Sequence, residues 1–188
     1  MILGYTLIEP DLKCDMLADL QLDACARYSN IYDLNIIDPN FKVKGKKYNI
    51  SGTYDGFTIV SELFKKFCET EKYKGLEFLS LPNLPNFYWF KVFNVVEFDI
   101  NARGTEFLNY NKICKGYEEI IGATPLCLKN KIPLSDGFYR TDICFGSFEG
   151  KSPVYLVGDV TMKKLKIAGF KEIFFEEILD KYDWQKIK

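Results

Sequence analysis

The sequence predicts a single α+β domain over residues 1–188, in which short helices cover a mostly antiparallel sheet. Two stretches, residues 58–81 and 155–178, share a strand–helix–strand pattern. Residues 87–100 are dense in aromatic and β-branched side chains, which favour strands. Turn signals rich in Gly, Pro, Asn and Asp separate these short elements, and no linker or low-complexity segment divides them.

The first fifty residues predict one strand and several irregular elements. Ile2 to Ile8 is apolar and favours a strand. Asp11 to Tyr28 is compatible with a helix, although its apolar pattern is irregular. Asp38-Pro39-Asn40 predicts a turn, and the weak alternation from Lys42 to Ile50 favours a hairpin.

The clearest helix runs from Ser61 to Lys72. The Ser61 hydroxyl can accept a hydrogen bond from a free amide of the first turn, and the Glu62 carboxylate suits the positive end of the helix. Gly75 predicts a break before the next strand. The apolar stripe that we expect to face the core consists of Leu63, Phe64, Phe67 and Cys68.

The C-terminal half alternates apolar runs with polar segments. Residues 87–100 predict one strand or a pair, and Phe138 to Phe145 predicts another. Asn101 to Tyr117 is polar and predicts irregular structure, whereas Ile120 to Leu128 is apolar, with Pro125 favouring an edge position or a break. In the charged tail, 179–188, we expect Tyr182 and Trp184 to pack back onto the domain.

The two similar stretches read TIVSELFKKFCETEKYKGLEFLSL and YLVGDVTMKKLKIAGFKEIFFEEI. Each has an apolar run, a helix-starting residue (Ser61, or Gly158 with Asp159) and a break at Gly75 or Gly169. A duplicated unit would produce this similarity, and so would chance, because strand–helix–strand units are common. If the duplication is genuine, we expect an approximate two-fold relation within one sheet.

Composition narrows the classes of partner. With 25 basic and 26 acidic residues the net charge is −1, and there is no basic stripe of the kind that nucleic acids require. The lysines between residues 42 and 47 fit a solvated loop better than a nucleic-acid contact. No apolar run approaches the ~20 residues of a membrane span, and the opening residues lack the basic region of a signal peptide.

The chain has no histidine, which removes Ser-His-Asp and Cys-His catalysis and most transition-metal sites. The six cysteines include no CxxC pair, so we expect no structural zinc. Buried, reduced thiols explain the cysteines in apolar runs, and they favour a reducing compartment, the cytoplasm. No phosphate-binding loop is present, and no cofactor is expected. The cysteines are Cys14, Cys25, Cys68, Cys114, Cys127 and Cys144.

The tripeptide Asp-Gly-Phe occurs at residues 55–57 and 136–138. As a structural element, it is a turn that leads an aromatic residue into a strand. As a functional element, it would place Tyr and Arg side chains on an exposed rim, and these residue types are enriched in binding hot spots. The candidate partner-binding residues are Tyr54, Asp55, Tyr139, Arg140 and Asp142.

Part of the chain resembles the bacterial immunity proteins of polymorphic toxin systems. In that group an apolar strand such as Ile59-Val60 meets a Ser-initiated helix, and a G-[LV]-E-F strand ending near Pro follows, as in Gly75 to Pro82. An aromatic strand comes next, as in FYWFKVFNVV at 87–96, and a second such unit resembles 136–178. The resemblance covers residues 54–178, and its motifs are packing patterns.

The resemblance implies a cytoplasmic, non-enzymatic protein that binds and blocks a cognate toxin encoded by an adjacent gene. It transfers no catalytic residues. A related branch carries paired CxxC motifs, but only Cys114 occupies that region here, so no metal site is transferred. Two alternatives stay open: an uncharacterised cytoplasmic enzyme using carboxylate or cysteine chemistry, and a scaffold or small-ligand-binding domain unrelated to toxins. Neither nucleic acid nor a membrane is expected as a partner.

Overall fold

A computed structural model describes residues 1–18 and 20–183 and shows an α+β fold, as predicted. In chain order the strands are β1 (Ile2–Ile8), β2 (Ile50–Gly52), β3 (Thr58–Ser61), β4 (Leu76–Ser80), β5 (Phe87–Val92), β6 (Val95–Val96), β7 (Glu106–Asn111), β8 (Gly116–Ile121), β9 (Phe138–Ser147), β10 (Ser152–Val157) and β11 (Phe174–Leu179). The helices are α1 (Ile31–Leu34), α2 (Glu62–Thr70), α3 (Ile100–Arg103) and α4 (Asp159–Ile167), with 3-10 turns at Ala26–Tyr28 and Phe148–Gly150.

These strands form two sheets. The larger sheet has the order β11-β1-β10-β9-β8-β7, with β6 beside β9, and the smaller has the order β2-β3-β5-β4. The pairing of β6 with β9 is parallel, whereas the other strand pairings in the described residues are antiparallel. Most neighbours therefore have the antiparallel arrangement that the sequence predicts.

The two strand–helix–strand stretches have the same local order. In the first, β5 lies antiparallel between β3 and β4, while in the second β1 lies antiparallel between β10 and β11. The first belongs to the smaller sheet and the second to the larger. The expectation of a two-fold relation within one sheet is therefore wrong, and duplication itself stays a prediction.

The two sheets share one aromatic core centred on Phe64 of α2. Its ring centroid lies 5.5 Å from that of Phe90 in the smaller sheet and 5.8 Å from that of Phe138 in the larger. It also lies 5.3 Å from the ring of Phe170, which follows α4. Such edge-to-face contacts add stabilisation beyond the apolar area that they bury. Phe64 therefore joins both sheets and both long helices.

The described residues between 11 and 28 do not form the helix that the sequence allows; among them, only Ala26–Tyr28 makes a 3-10 turn. Distant partners satisfy much of this backbone. The Leu12 amide donates to the Gly52 carbonyl at 2.7 Å, and the amides of Met16 and Leu17 donate to the Asp55 carboxylate. Because these bonds replace helical ones, the segment follows the surface of the smaller sheet as a loop.

Two further expectations are wrong. Residues 42–50 form no hairpin, because the Lys44 amide donates to Lys13 and Ile50 begins a strand that pairs with β3. Residues 101–117, expected to be irregular, contribute α3, β7 and the start of β8. The Asn111 side chain accepts hydrogen bonds from the amides of Ile113 and Cys114, which closes the tight turn between these two strands.

The tail folds back as far as it is described. The Tyr182 hydroxyl donates to the Leu126 carbonyl at 3.0 Å and accepts from the Leu179 amide at 3.1 Å. Trp184 lies outside the described residues. None of the helices in the described part of the chain has the length and apolar character needed to cross a membrane.

Candidate functional site

The five candidate residues lie in two places. Tyr54 and Asp55 are in the turn between β2 and β3, whereas Tyr139, Arg140 and Asp142 are on β9. Tyr54 and Asp142 are exposed and the other three are half-buried. The expected rim is therefore only partly on the surface, and its role in partner binding stays a prediction.

Asp55 holds a loop in place. One carboxylate oxygen accepts the amides of Met16 at 2.6 Å and Leu17 at 2.8 Å, and the other accepts the Thr53 hydroxyl at 2.6 Å. Burial raises the pKa of the Asp55 carboxyl, and these hydrogen bonds oppose the rise. The carboxylate thus takes the place of helical partners for the amides of Met16 and Leu17.

Arg140 lies in a cluster of cations and aromatic rings. Its guanidinium is 4.7 Å from the centroid of the Tyr32 ring, and the ammonium of Lys91 is 5.2 Å from the same ring. Burial lowers the pKa of Lys91, and Glu77 opposes that change. The Tyr32 hydroxyl is 2.7 Å from that of Tyr155 in the larger sheet. The cluster therefore fastens α1 to both sheets.

The remaining two β9 residues also make contacts within the fold. The Tyr139 hydroxyl is hydrogen-bonded to Ser135, and the Asp142 carboxylate accepts the Phe98 amide at 2.9 Å. Asp142 keeps an exposed side chain, so it is the β9 candidate that a partner could reach most directly.

The loop that Asp55 holds forms one side of a groove of about 540 Å³, and the 3-10 turn Phe148–Gly150 contributes to the other. Leu17 and Ala26 are buried beneath it, and Leu20 and Leu22 are half-buried. We call this depression the loop groove. Its lining carboxylates are Asp15, Asp23, Asp55 and Glu149.

The loop groove is electrostatically unbalanced. Arg27 is the single cation among its described lining residues, and it forms an ion pair with Glu118 while its guanidinium lies 4.9 Å from the Phe148 ring centroid. Within the described residues, neither Asp15 nor Glu149 forms an ion pair. The groove therefore presents net negative charge above an apolar floor.

A disulfide fixes the far end of the loop. Cys25 is bonded to Cys114 in the β7–β8 turn, 89 residues away. The adjacent Asp23 carboxylate accepts the amides of Cys25 and Ala26 at 2.7 and 3.0 Å. The Cys25–Cys114 disulfide counts against the reducing compartment inferred from the cysteines, because disulfides are rare in the cytoplasm.

The other four cysteines are free, and three of them are buried. Burial raises the pKa of Cys14 to about 11 and that of Cys144 to about 12. Burial also raises the pKa of Cys68 and of Cys127. These thiols stay protonated at neutral pH, and a protonated thiol is a poor nucleophile.

A second depression of about 340 Å³ opens between the two sheets. Its half-buried carboxyl group belongs to Glu9, which accepts the Thr58 hydroxyl at 2.8 Å. Burial raises the pKa of Glu9, and the hydrogen bond from Thr58 opposes the rise. We call this depression the inter-sheet cleft. Across the described residues, no cluster of three or more carboxylate or thiol side chains could hold a metal ion.

The sequence did not single out the loop groove. Its carboxylates and leucines are interleaved between residues 15 and 23 without helical or strand periodicity, and Phe148 and Glu149 come from a distant turn. The only sequence signal was that irregularity, together with the choice of Asp55 as a candidate.

Comparison of the chain with known protein families, curated proteins and solved structures found no match.

Proposed function

We propose that this protein is a non-enzymatic immunity protein that binds and neutralises a cognate protein toxin. The observation that carries the proposal is the loop groove: an open, acidic depression with an apolar floor, held in shape by the carboxylates of Asp55 and Asp23. Protein–protein contact surfaces usually have an apolar centre, which is buried on binding, and a polar or charged rim.

The chemistry of the ionisable side chains supports a binding role. The Asp55 carboxylate bonds to backbone amides, Lys91 and Arg140 pack on aromatic rings, and the free thiols have raised pKa values. The carboxylate and the two cations thus make contacts within the fold, and the thiols are protonated at neutral pH. Tyr54, with 61% of its surface exposed, adjoins Asp55 and would extend the contact surface beyond the groove.

The test is co-expression with the product of the adjacent gene. We expect the two proteins to copurify as a 1:1 complex and the host to survive a toxin that otherwise arrests growth. Tyr54→Ala should weaken the complex about tenfold if Tyr54 is a hot spot, and Tyr110→Ala, an exposed tyrosine on β7, is the control. The proposal would be contradicted if the product of the adjacent gene neither bound this protein nor was toxic to the host.

The proposal includes a cytoplasmic location, and the disulfide makes that part testable. Alkylation of thiols in intact cells before lysis would show whether Cys25 and Cys114 are bonded there. If both cysteines react with the alkylating reagent, they are reduced, as expected in the cytoplasm. If neither reacts, they are disulfide-bonded, which indicates an oxidising compartment.

The enzyme alternative rests on Glu9. A half-buried carboxyl with a raised pKa, lying in a cleft, is the kind of group that serves as a general acid or base. Glu9→Gln separates the two functions, because a binding protein keeps its neutralising activity after this change. Loss of host protection by a folded variant that still binds the toxin would favour the enzyme.

A further inference from the structure

The loop groove indicates what kind of segment the partner presents. This inference rests on the proposed function and adds the chemistry of the bound surface. A volume of about 540 Å³ is in the range of pockets that hold a few side chains, and the open shape admits a segment of chain.

Charge selects the occupant. Asp15 and Asp23 are exposed and Glu149 is half-buried, while Arg27 is already paired with Glu118. The nearby ammonium of Lys151 is buried and already donates to backbone carbonyls, those of Arg27 at 2.9 Å, Glu118 at 3.3 Å and Phe148. An acidic or neutral segment would leave the lining carboxylates without counter-charge, whereas a basic segment would supply it.

The apolar floor adds a second requirement. Leu17, Leu20 and Leu22 offer hydrocarbon surface between the carboxylates. Lysine and arginine have aliphatic stems that pack on such surface while the charged head reaches a carboxylate. Leucine or isoleucine between the basic residues would fill the rest, because burying apolar area drives association.

The loop is already in position before a partner arrives. Asp55 fixes its middle through two amides, and Asp23 fixes its end through the amides of Cys25 and Ala26. Holding a binding loop in its bound shape reduces the entropy lost on association. We therefore propose that the loop groove binds a segment of the partner protein in which lysine or arginine alternates with leucine or isoleucine.

The direct test uses two labelled hexapeptides, one alternating lysine with leucine and one alternating glutamate with leucine, titrated into the full chain. The expected result is that the lysine peptide binds more tightly than the glutamate peptide by at least about tenfold. Its affinity should fall as salt is raised, because salt screens exposed charges. Equal affinity for both peptides would overturn the proposal.

A matched pair of variants locates the binding. Asp15→Asn with Glu149→Gln removes two groove charges, and we expect about three- to tenfold weaker binding of the lysine peptide. Glu106→Gln with Glu177→Gln removes two exposed charges on β7 and β11 and should change affinity less than about twofold. Equal losses in both variants would mean that overall charge, not the groove, attracts the peptide.

The basic segment could also come from a second copy of this chain, since Lys42-Val43-Lys44 places a β-branched apolar residue between two exposed lysines. Sedimentation over a range of concentrations tests this. If the wild type forms a dimer and the Asp15→Asn with Glu149→Gln variant does not, the assignment to a toxin is overturned.

Binding of the adjacent-gene product distinguishes a failure of the groove inference from a failure of the proposed function. If wild type and variant bind the toxin equally well, the groove inference alone is wrong. If the protein binds the lysine peptide but not the toxin, only the proposed function is wrong.

Discussion

The two strand–helix–strand units have the same local order but are completed by different parts of the chain. The unit at residues 58–81 receives its middle strand, β5, from the segment that follows it directly. The unit at residues 155–178 receives β1 from the opposite end of the chain. The first is thus a local structure, while the second forms only when the N-terminus has folded onto it, at a larger cost in chain entropy.

The helix starts differ in a related way. Ser61 begins α2 with its hydroxyl, which accepts the Phe64 amide at 3.3 Å. Gly158 begins α4 without any side-chain cap, and a Cβ at this position would lie 2.7 Å from the Leu134 carbonyl oxygen and collide with that of Ser135. A local hydrogen bond starts the first helix, whereas the second start is set by close backbone packing.

The largest expected effect comes from Phe64, which contacts both units. Phe64→Ala should destabilise the protein by about 3–5 kcal/mol, because it removes buried aromatic contacts and leaves a cavity. The prediction that Leu63 faces the core is wrong, because its side chain is 60% exposed, so Leu63→Ala on the same helix should cost less than about 0.5 kcal/mol. Urea unfolding followed by fluorescence measures both, and equal losses would show that Phe64 does not join the sheets.

Gly158→Ala should cost about 1–3 kcal/mol, since the added methyl group meets backbone that cannot move independently. Val160→Ala, two positions further along at an exposed site of α4, controls for helix effects and should stay within about 0.5 kcal/mol of wild type. Chemical denaturation distinguishes the two. If alanine is tolerated at residue 158, the second helix start does not depend on close packing.

Ser61→Ala should cost about 1 kcal/mol, because the Phe64 amide loses its capping partner. Ser61→Thr keeps a hydroxyl at the cap and should retain most of the stability. The same denaturation assay applies. A Thr variant as unstable as the Ala variant would indicate that the space around residue 61 leaves no room for a further methyl group, and that the hydroxyl cap is not what decides stability there.

The smallest expected effect tests the contact between the units at Glu9, which follows β1 and accepts the hydroxyl of Thr58 in β3. Burial raises the pKa of this carboxyl, so its contribution to stability is present below the unfolded-state pKa and is lost as pH rises through the folded-state pKa. Glu9→Gln should raise the melting temperature at pH 7 and lose that advantage near pH 4. An advantage that is the same at both pH values would contradict this assignment.

Local patterns predicted much of the fold. The bounds of β1, the Ser61 start of α2 and the break at Gly75 all depend on side chains and backbone angles within a few residues. The β7–β8 hairpin was missed because its turn is closed by the Asn111 side chain and a left-handed Lys115, inside a sequence that is polar on average.

The candidate site was less predictable for a physical reason. Tyr54 and Asp55 were selected as turn residues, but the loop groove beside them also requires residues 15–27 and the turn at 148–150. Neither segment carries a periodic signal, and the amides of Met16 and Leu17 find their partner in Asp55, more than thirty-five residues along the chain.

By itself, the sequence determined the α+β class, the α2 helix with its Ser61 cap and the residues suited to strands, since each of these follows from propensity and spacing over a few positions. Only the tertiary structure decided which strands are neighbours, that Cys25 meets Cys114, and that acidic and apolar side chains from distant segments share one groove. Those outcomes depend on burying a common core around Phe64, and that burial acts between residues far apart in the chain.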